Sequence, residues 1–151
     1  AAPSSAPGGA PAGGSCPAGL QANAEGGFCY KLPDKYVAKP NEDRGGMHKR
    51  RMYVETTNNG SLQIAWGGAL TDYDNILGGM KKVAEDPKNK LLESGDLPGG
   101  KGYFYYLQTE SNGVRAEMLL KGSKHLVSCF VSAFAEQATK DWEVCKSLTT
   151  L

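Results

Sequence analysis

Phe28, Tyr30 and Leu32 alternate with Cys29 and Lys31 ahead of Pro33, a period of two that predicts a short strand with its apolar face inward, ended by a residue unable to donate to a β-ladder. After a polar stretch, His48 to Thr57 and Ser61 to Trp66 flank Asn58-Asn59-Gly60, and Asn-Gly is the favoured pair for a type I′ hairpin turn. The period then changes. Tyr73, Ile76, Leu77, Met80, Val83 and Ala84 form one stripe of an α-helix running from Thr71, capped by Thr71 or Asp72, and ending by Pro87. Gly78-Gly79 inside it predicts either a close approach to a sheet or a break.

Lys90 to Glu93, Gly102 to Thr109, Val114 to Lys121 and Leu126 to Phe134 are separated by Gly-rich and Asn/Ser-rich turns, the pattern of an antiparallel meander. A closing helix from about Glu136 carries Ala138, Trp142, Cys145 and Leu148 on one stripe. The order predicts an α+β domain, a mostly antiparallel sheet covered by helices. The run Phe28-Cys29-Tyr30-Lys31-Leu32-Pro33, the apolar hairpin and the closing Asp141-Trp142-Glu143-Val144-Cys145-Lys146-Ser147-Leu148 resemble the PsbP superfamily over about Phe28 to Leu151. That resemblance implies an α-β-α sandwich and a non-enzymatic accessory or binding role at membranes and in large complexes. It assigns no functional residue to a position in this chain.

Composition divides the chain. Residues 1 to 27 hold nineteen Ala, Gly or Pro, no Lys or Arg, and only Leu20 as a larger aliphatic side chain, too little apolar surface to offset the entropy of ordering. They are expected to be a leader or linker, with residues 28–151 as the folded domain, or else a strap that docks on this domain or on a partner. Four cysteines, at 16, 29, 129 and 145, show no zinc-finger spacing. Of the three pairings they permit, Cys16 with Cys29 and Cys129 with Cys145 join elements near in sequence. Such bonds persist outside the reducing cytosol, so a secreted, periplasmic or extracellular protein is expected, its signal peptide removed.

Seventeen Lys and Arg against sixteen Asp and Glu leave a formal charge of +1, which argues against nucleic acid as the partner. Leu126 to Ala135, the longest mostly apolar stretch, is half the roughly 20 residues a bilayer-spanning helix needs. Gly95-Asp96-Leu97-Pro98-Gly99-Gly100-Lys101 begins like a P-loop, but Gly102 replaces the magnesium-binding Ser or Thr and a strand follows instead of a helix. Asp72-Tyr73-Asp74 opens like a calcium loop, yet Ile76 and Leu77 occupy the next oxygen-ligand and glycine places. Asn59-Gly60-Ser61 matches a glycosylation sequon, although turn geometry alone accounts for Asn-Gly. No cofactor, metal site or catalytic constellation is expected around His48 and His125, the two histidines.

Two clusters remain as partner contacts. Arg44, His48, Lys49, Arg50 and Arg51 form a basic run that either protects a sheet edge or meets an anionic partner or lipid head group. Tyr103, Phe104, Tyr105 and Tyr106 serve both faces of a strand; an open face would make Tyr103 and Tyr105 a contact patch. The expected function is a secreted or periplasmic, non-catalytic binding module of a larger protein assembly. The alternatives are a structural subunit of an extracellular or membrane-associated complex docked through its tail, and a small-ligand or lipid binder with a pocket between sheet and helix.

Overall fold

The computed structural model describes residues 16–57 and 60–151. Its elements are β1 (Gln21–Asn23), β2 (Phe28–Tyr30), β3 (Val37–Ala38), β4 (Glu42–Asp43), β5 (Arg50–Glu55), β6 (Ser61–Gly68), α1 (Tyr73–Glu85), β7 (Lys90–Leu97), β8 (Gly102–Gln108), β9 (Gly113–Lys121), β10 (Leu126–Phe134), α2 (Ala135–Ser147) and β11 (Thr149–Thr150). The main sheet runs β3-β5-β6-β10-β9-β8-β7, with β4 also pairing β5, and a small sheet runs β11-β2-β1. Every pairing is antiparallel.

Alternation along the strands makes two faces, and each helix covers part of one. On the first face Met52, Ile64, Cys129 and Met118 share a row with Phe104. This face packs against Phe28, Tyr30 and Tyr36 and against Ala138, Trp142, Val144 and Cys145 of α2. On the second face Tyr103, Tyr105, Leu107, Leu119 and Leu126 pack under Met80 and Ala84 of α1. The mostly antiparallel sheet covered by helices, expected from the order of elements, is the observed architecture, and the helices lie on its two faces as the resemblance implies. The hairpin β5–β6 is antiparallel with Met52 opposite Ile64; its Asn58-Asn59 turn lies outside the described residues, as do residues 1–15 of the leader.

Both cysteine pairs are bonded as their spacing indicated, with Cα–Cα distances of 5.6 Å in each. The Cys16–Cys29 bond ties residues 16–27 to the body, and β1 within them adds to the small sheet beside β2. Asn23 is buried there, donating to Asn41 Oδ1 at 3.0 Å and accepting from the Gly26 amide at 3.0 Å. Phe28–Tyr30 is buried on both sides, so the inward-and-outward alternation expected of that strand is not realised.

Helix α1 is unbroken from Tyr73 to Glu85, and Asp72 at its N-cap makes no side-chain cap bond. A Cβ on Gly78 or Gly79 would meet no neighbouring heavy atom within 4 Å. Neither a close approach nor a break explains these glycines. They weaken a continuous helix on its open side. Gly79→Ala is therefore expected to raise the unfolding free energy by about 0.8–1 kcal/mol; a urea denaturation midpoint that does not rise would contradict this.

Candidate functional site

Helix α2 lies over β9 and β10, so the first face of the sheet is left uncovered toward β7 and β8. There a groove of about 750 Å³ opens, with Leu97, Phe104, Met118, Leu120, Trp142 and Leu148 along its apolar surface. Trp142 closes one side, its ring centroid 6.1 Å from Phe104 and 5.6 Å from Tyr106. The opposite side is the β7–β8 turn. Gly99 and Gly100 take the left-handed conformation at φ 71° and 67°, which favours glycine. A Cβ on Gly102 would collide with the Leu119 carbonyl oxygen. The glycines of the P-loop-like run thus form a tight turn and a close strand approach, not a phosphate cradle.

Three charged residues, Glu93, Lys101 and Lys146, stand at the rim. Lys146 Nζ lies 2.6 Å from Glu143 Oε2. The bond to Glu143 and the nearby Glu93 hold its ammonium pKa above the usual lysine value. Lys101 is exposed and forms no ion pair among the described residues. Beyond Lys146 a smaller cavity of about 350 Å³ is bounded by Lys31, Leu32, Pro33, Glu143 and Ser147.

The sequence-predicted contact residues are dispersed. Arg44 and Lys49 are exposed. Arg50 is committed to Glu25 (Nε–Oε2 2.6 Å) and Asp43 (Nη1–Oδ1 2.6 Å), and Arg51 to Glu42 at 2.7 Å and to the Tyr53 ring at 4.5 Å. The bond from Arg50 holds the Glu25 carboxyl below its ordinary pKa. These pairs fasten the β1–β2 turn and β4 to β5 at the edge of the sheet. His48 is buried, and neither ring nitrogen has a hydrogen-bond partner. Burial, then Arg44 and His125, pushes its pKa down to about 4.

Tyr103 and Tyr105 do not form an exposed patch: both are buried, because α1 covers their face of β8. Phe104 and Tyr106 are half-buried on the other face, where both meet the Trp142 ring and Phe104 lines the groove. The run of four aromatics signalled an aromatic strand; which pair stays accessible depends on where the helices land.

Two polar clusters escaped the sequence reading. Tyr36 donates to Asp141 Oδ1 at 2.6 Å, and Gln137 Nε2 donates to both Tyr36 Oη and Asp141 Oδ1 at 2.7 Å. Burial first, and the Asp141 bond second, push the Tyr36 hydroxyl up to about 12. On the second face Arg115 donates to Tyr105 Oη at 3.1 Å, and Tyr105 donates to Glu117 at 3.2 Å. Burial raises the Glu117 pKa. Gln137 and Asp141 are spaced i, i+4 on α2, the one signal that marks them as neighbours. Neither cluster lines the two cavities. Among the described residues no group of three His, Cys, Asp or Glu side chains is placed to hold a metal ion.

No protein-family model matches the sequence, and no curated protein matches it. The solution structure of cyanobacterial PsbP (CyanoP) from Synechocystis sp. PCC 6803 does match in three dimensions, with TM-score 0.59 at 13% identity over 91% of this chain and 98% of that one. The fold is PsbP-like. A crystal structure from Bacteroides thetaiotaomicron VPI-5482 gives TM-score 0.43 at 11% identity, over 83% of this chain and 45% of that one. On the PsbP-like scaffold of this chain, no helix among the described residues is long and apolar enough to cross a membrane.

Proposed function

We propose that this PsbP-like protein is a non-catalytic accessory module of a larger protein assembly outside the cytosol, and that it holds its partner in the groove between α2 and the β7–β8 end of the sheet. The observation that carries this reading is the groove itself. Leu97 and Phe104 are only half-buried there, over a floor of Met118, Leu120, Trp142 and Leu148. An apolar, aromatic-centred recess with a charged rim matches the anatomy of a protein interface. The two disulfides support a location in an oxidising compartment, and the PsbP-like fold is compatible with association with other proteins.

Leu97→Asp places a charge on the groove wall at a half-buried position. It is expected to reduce cross-linked capture of the native partner by about tenfold or more, equivalent to about 1.4 kcal/mol, while the thermal midpoint changes little. Undiminished capture by this variant would overturn the groove as the contact. A second reading, an apolar small molecule or lipid chain in the same groove, is favoured by volume, since about 750 Å³ falls within the 300–1,000 Å³ typical of ligand sites. Native mass spectrometry of protein isolated from its source, showing an adduct lost in Leu97→Asp, would distinguish that occupant.

A further inference from the structure

The two edges of the main sheet are unlike. On one side the strands next to β5 are β3 and β4, two residues each, with Glu42 and Asp43 of β4 bound to Arg51 and Arg50. Short, charged strands of this kind resist pairing with another chain. On the other side β7 is eight residues long, contains no proline, and has β8 as its only strand neighbour among the described residues. The outward-pointing amides and carbonyls of β7 therefore have no ladder partner there.

β7 is also a wall of the groove. Glu93 and Leu97 line it, and Gly95 lies between them on the same face, opposite Phe104. Gly95 puts no side chain over Phe104 between the groove and the free edge. A register shift between Leu91 and Glu93 interrupts the pairing with β8, which runs on without a break from Glu93 to Leu97, and Leu91 and Leu92 are exposed at 43% and 49%.

Resting on the reading of the groove as the partner site, we propose that the partner enters as an extended polypeptide segment that adds to β7 as a further strand of the sheet. Backbone hydrogen bonds to Glu93–Leu97 supply affinity. Alternate apolar side chains of the segment drop past Gly95 onto Phe104 and Trp142 and supply selectivity, because side chains two apart fall on one face. An acidic residue of the segment meets Lys101, the rim cation without an ion pair. The net charge of the lining, two lysines against one glutamate, favours that sign.

The test uses the full chain labelled with 15N and a short soluble peptide alternating valine with threonine and ending in glutamate. Addition is expected to shift the amides of Lys90–Leu97 and the Trp142 indole. A copy N-methylated at alternate amides keeps every side chain but cannot pair along one edge, and is expected to bind at least about tenfold more weakly. Gly95→Val is expected to fold, since a Cβ there meets only Phe104 Cε1 at 3.7 Å, and to put a side chain between the groove and the free edge, with a similar loss. A second copy, methylated at the intervening amides, keeps its pairing edge toward β7 and is expected to bind like the unmodified peptide; equal binding by the two methylated copies, with the indole still shifting, would overturn strand addition and leave the groove as the contact. A peptide that moves neither β7 nor Trp142, at a concentration where the cross-linked partner does, would also overturn it. Shifts on addition of decanoate alone, confined to the groove and absent with the peptide, would assign the site to a lipid chain instead.

Discussion

Replacing both Cys129 and Cys145 by alanine is expected to lower the unfolding free energy by about 2–5 kcal/mol. The bond spans a sequence separation of 16, for which restricting the unfolded chain contributes about 3 kcal/mol. Both residues are fully buried, so loss of the sulfurs also leaves unfilled space in the core. The effect reaches the groove. Cys145 sits on α2, three residues from Trp142 and one from Lys146, and the bond fixes that helix to β10. Hydrogen exchange is therefore expected to accelerate first in α2, together with loss of partner capture. Urea unfolding of the double variant beside the parent measures the stability term; a difference under about 1 kcal/mol would show that packing alone holds α2 in place.

Acid should destabilise the protein through His48. Its pKa falls from the ordinary 6.5 to about 4 in the folded state because the ring is buried, with Arg44 and His125 adding repulsion. The unfolded chain thus binds a proton that the native state refuses throughout the interval between those values. Stability is full above pH 6.5, falls as pH decreases through the interval, and reaches its lowest His48-dependent level below about pH 4, a difference on the order of 3 kcal/mol. His125, with Nε2 2.8 Å from the Gly26 carbonyl oxygen, and Arg44 are the neighbouring groups whose charge acts on the ring. His48→Phe removes the titration without removing a hydrogen bond, because the ring nitrogens have none. Unfolding free energies of parent and variant are expected to converge toward neutral pH and diverge between pH 6.5 and 4. Parallel curves across that window would contradict the assignment.

Most of the architecture was legible because periodicity reports burial. The stripe from Tyr73 to Ala84 and the alternations of Gly102 to Phe134 correspond to α1 and to strands β8, β9 and β10. The cysteine pairs were readable because each joins segments near in sequence, and Cys129–Cys145 links the facing sides of β10 and α2. Two-residue strands such as Val37–Ala38 carry no period, and Gln21–Asn23 is enrolled by its disulfide and by β2, not by its own composition. Gln137 and Asp141 lie off the apolar stripe of α2, and nothing near them in sequence marks Tyr36, more than a hundred residues away, as the group that bonds them.

The basic run was visible as charge but not as a set of commitments: Glu25, Glu42 and Asp43 reach Arg50 and Arg51 only after folding. By itself the sequence determined the alternation of strands and helices, the oxidised cysteine framework and the lack of any recognised catalytic motif, since these depend on residue type and spacing along the chain. Only the tertiary structure decided that α1 hides Tyr103 and Tyr105, that α2 stops short of β7, and that a groove remains beside Gly95. Those outcomes depend on where two helices come to rest on a sheet, a placement settled by packing between segments far apart in the chain.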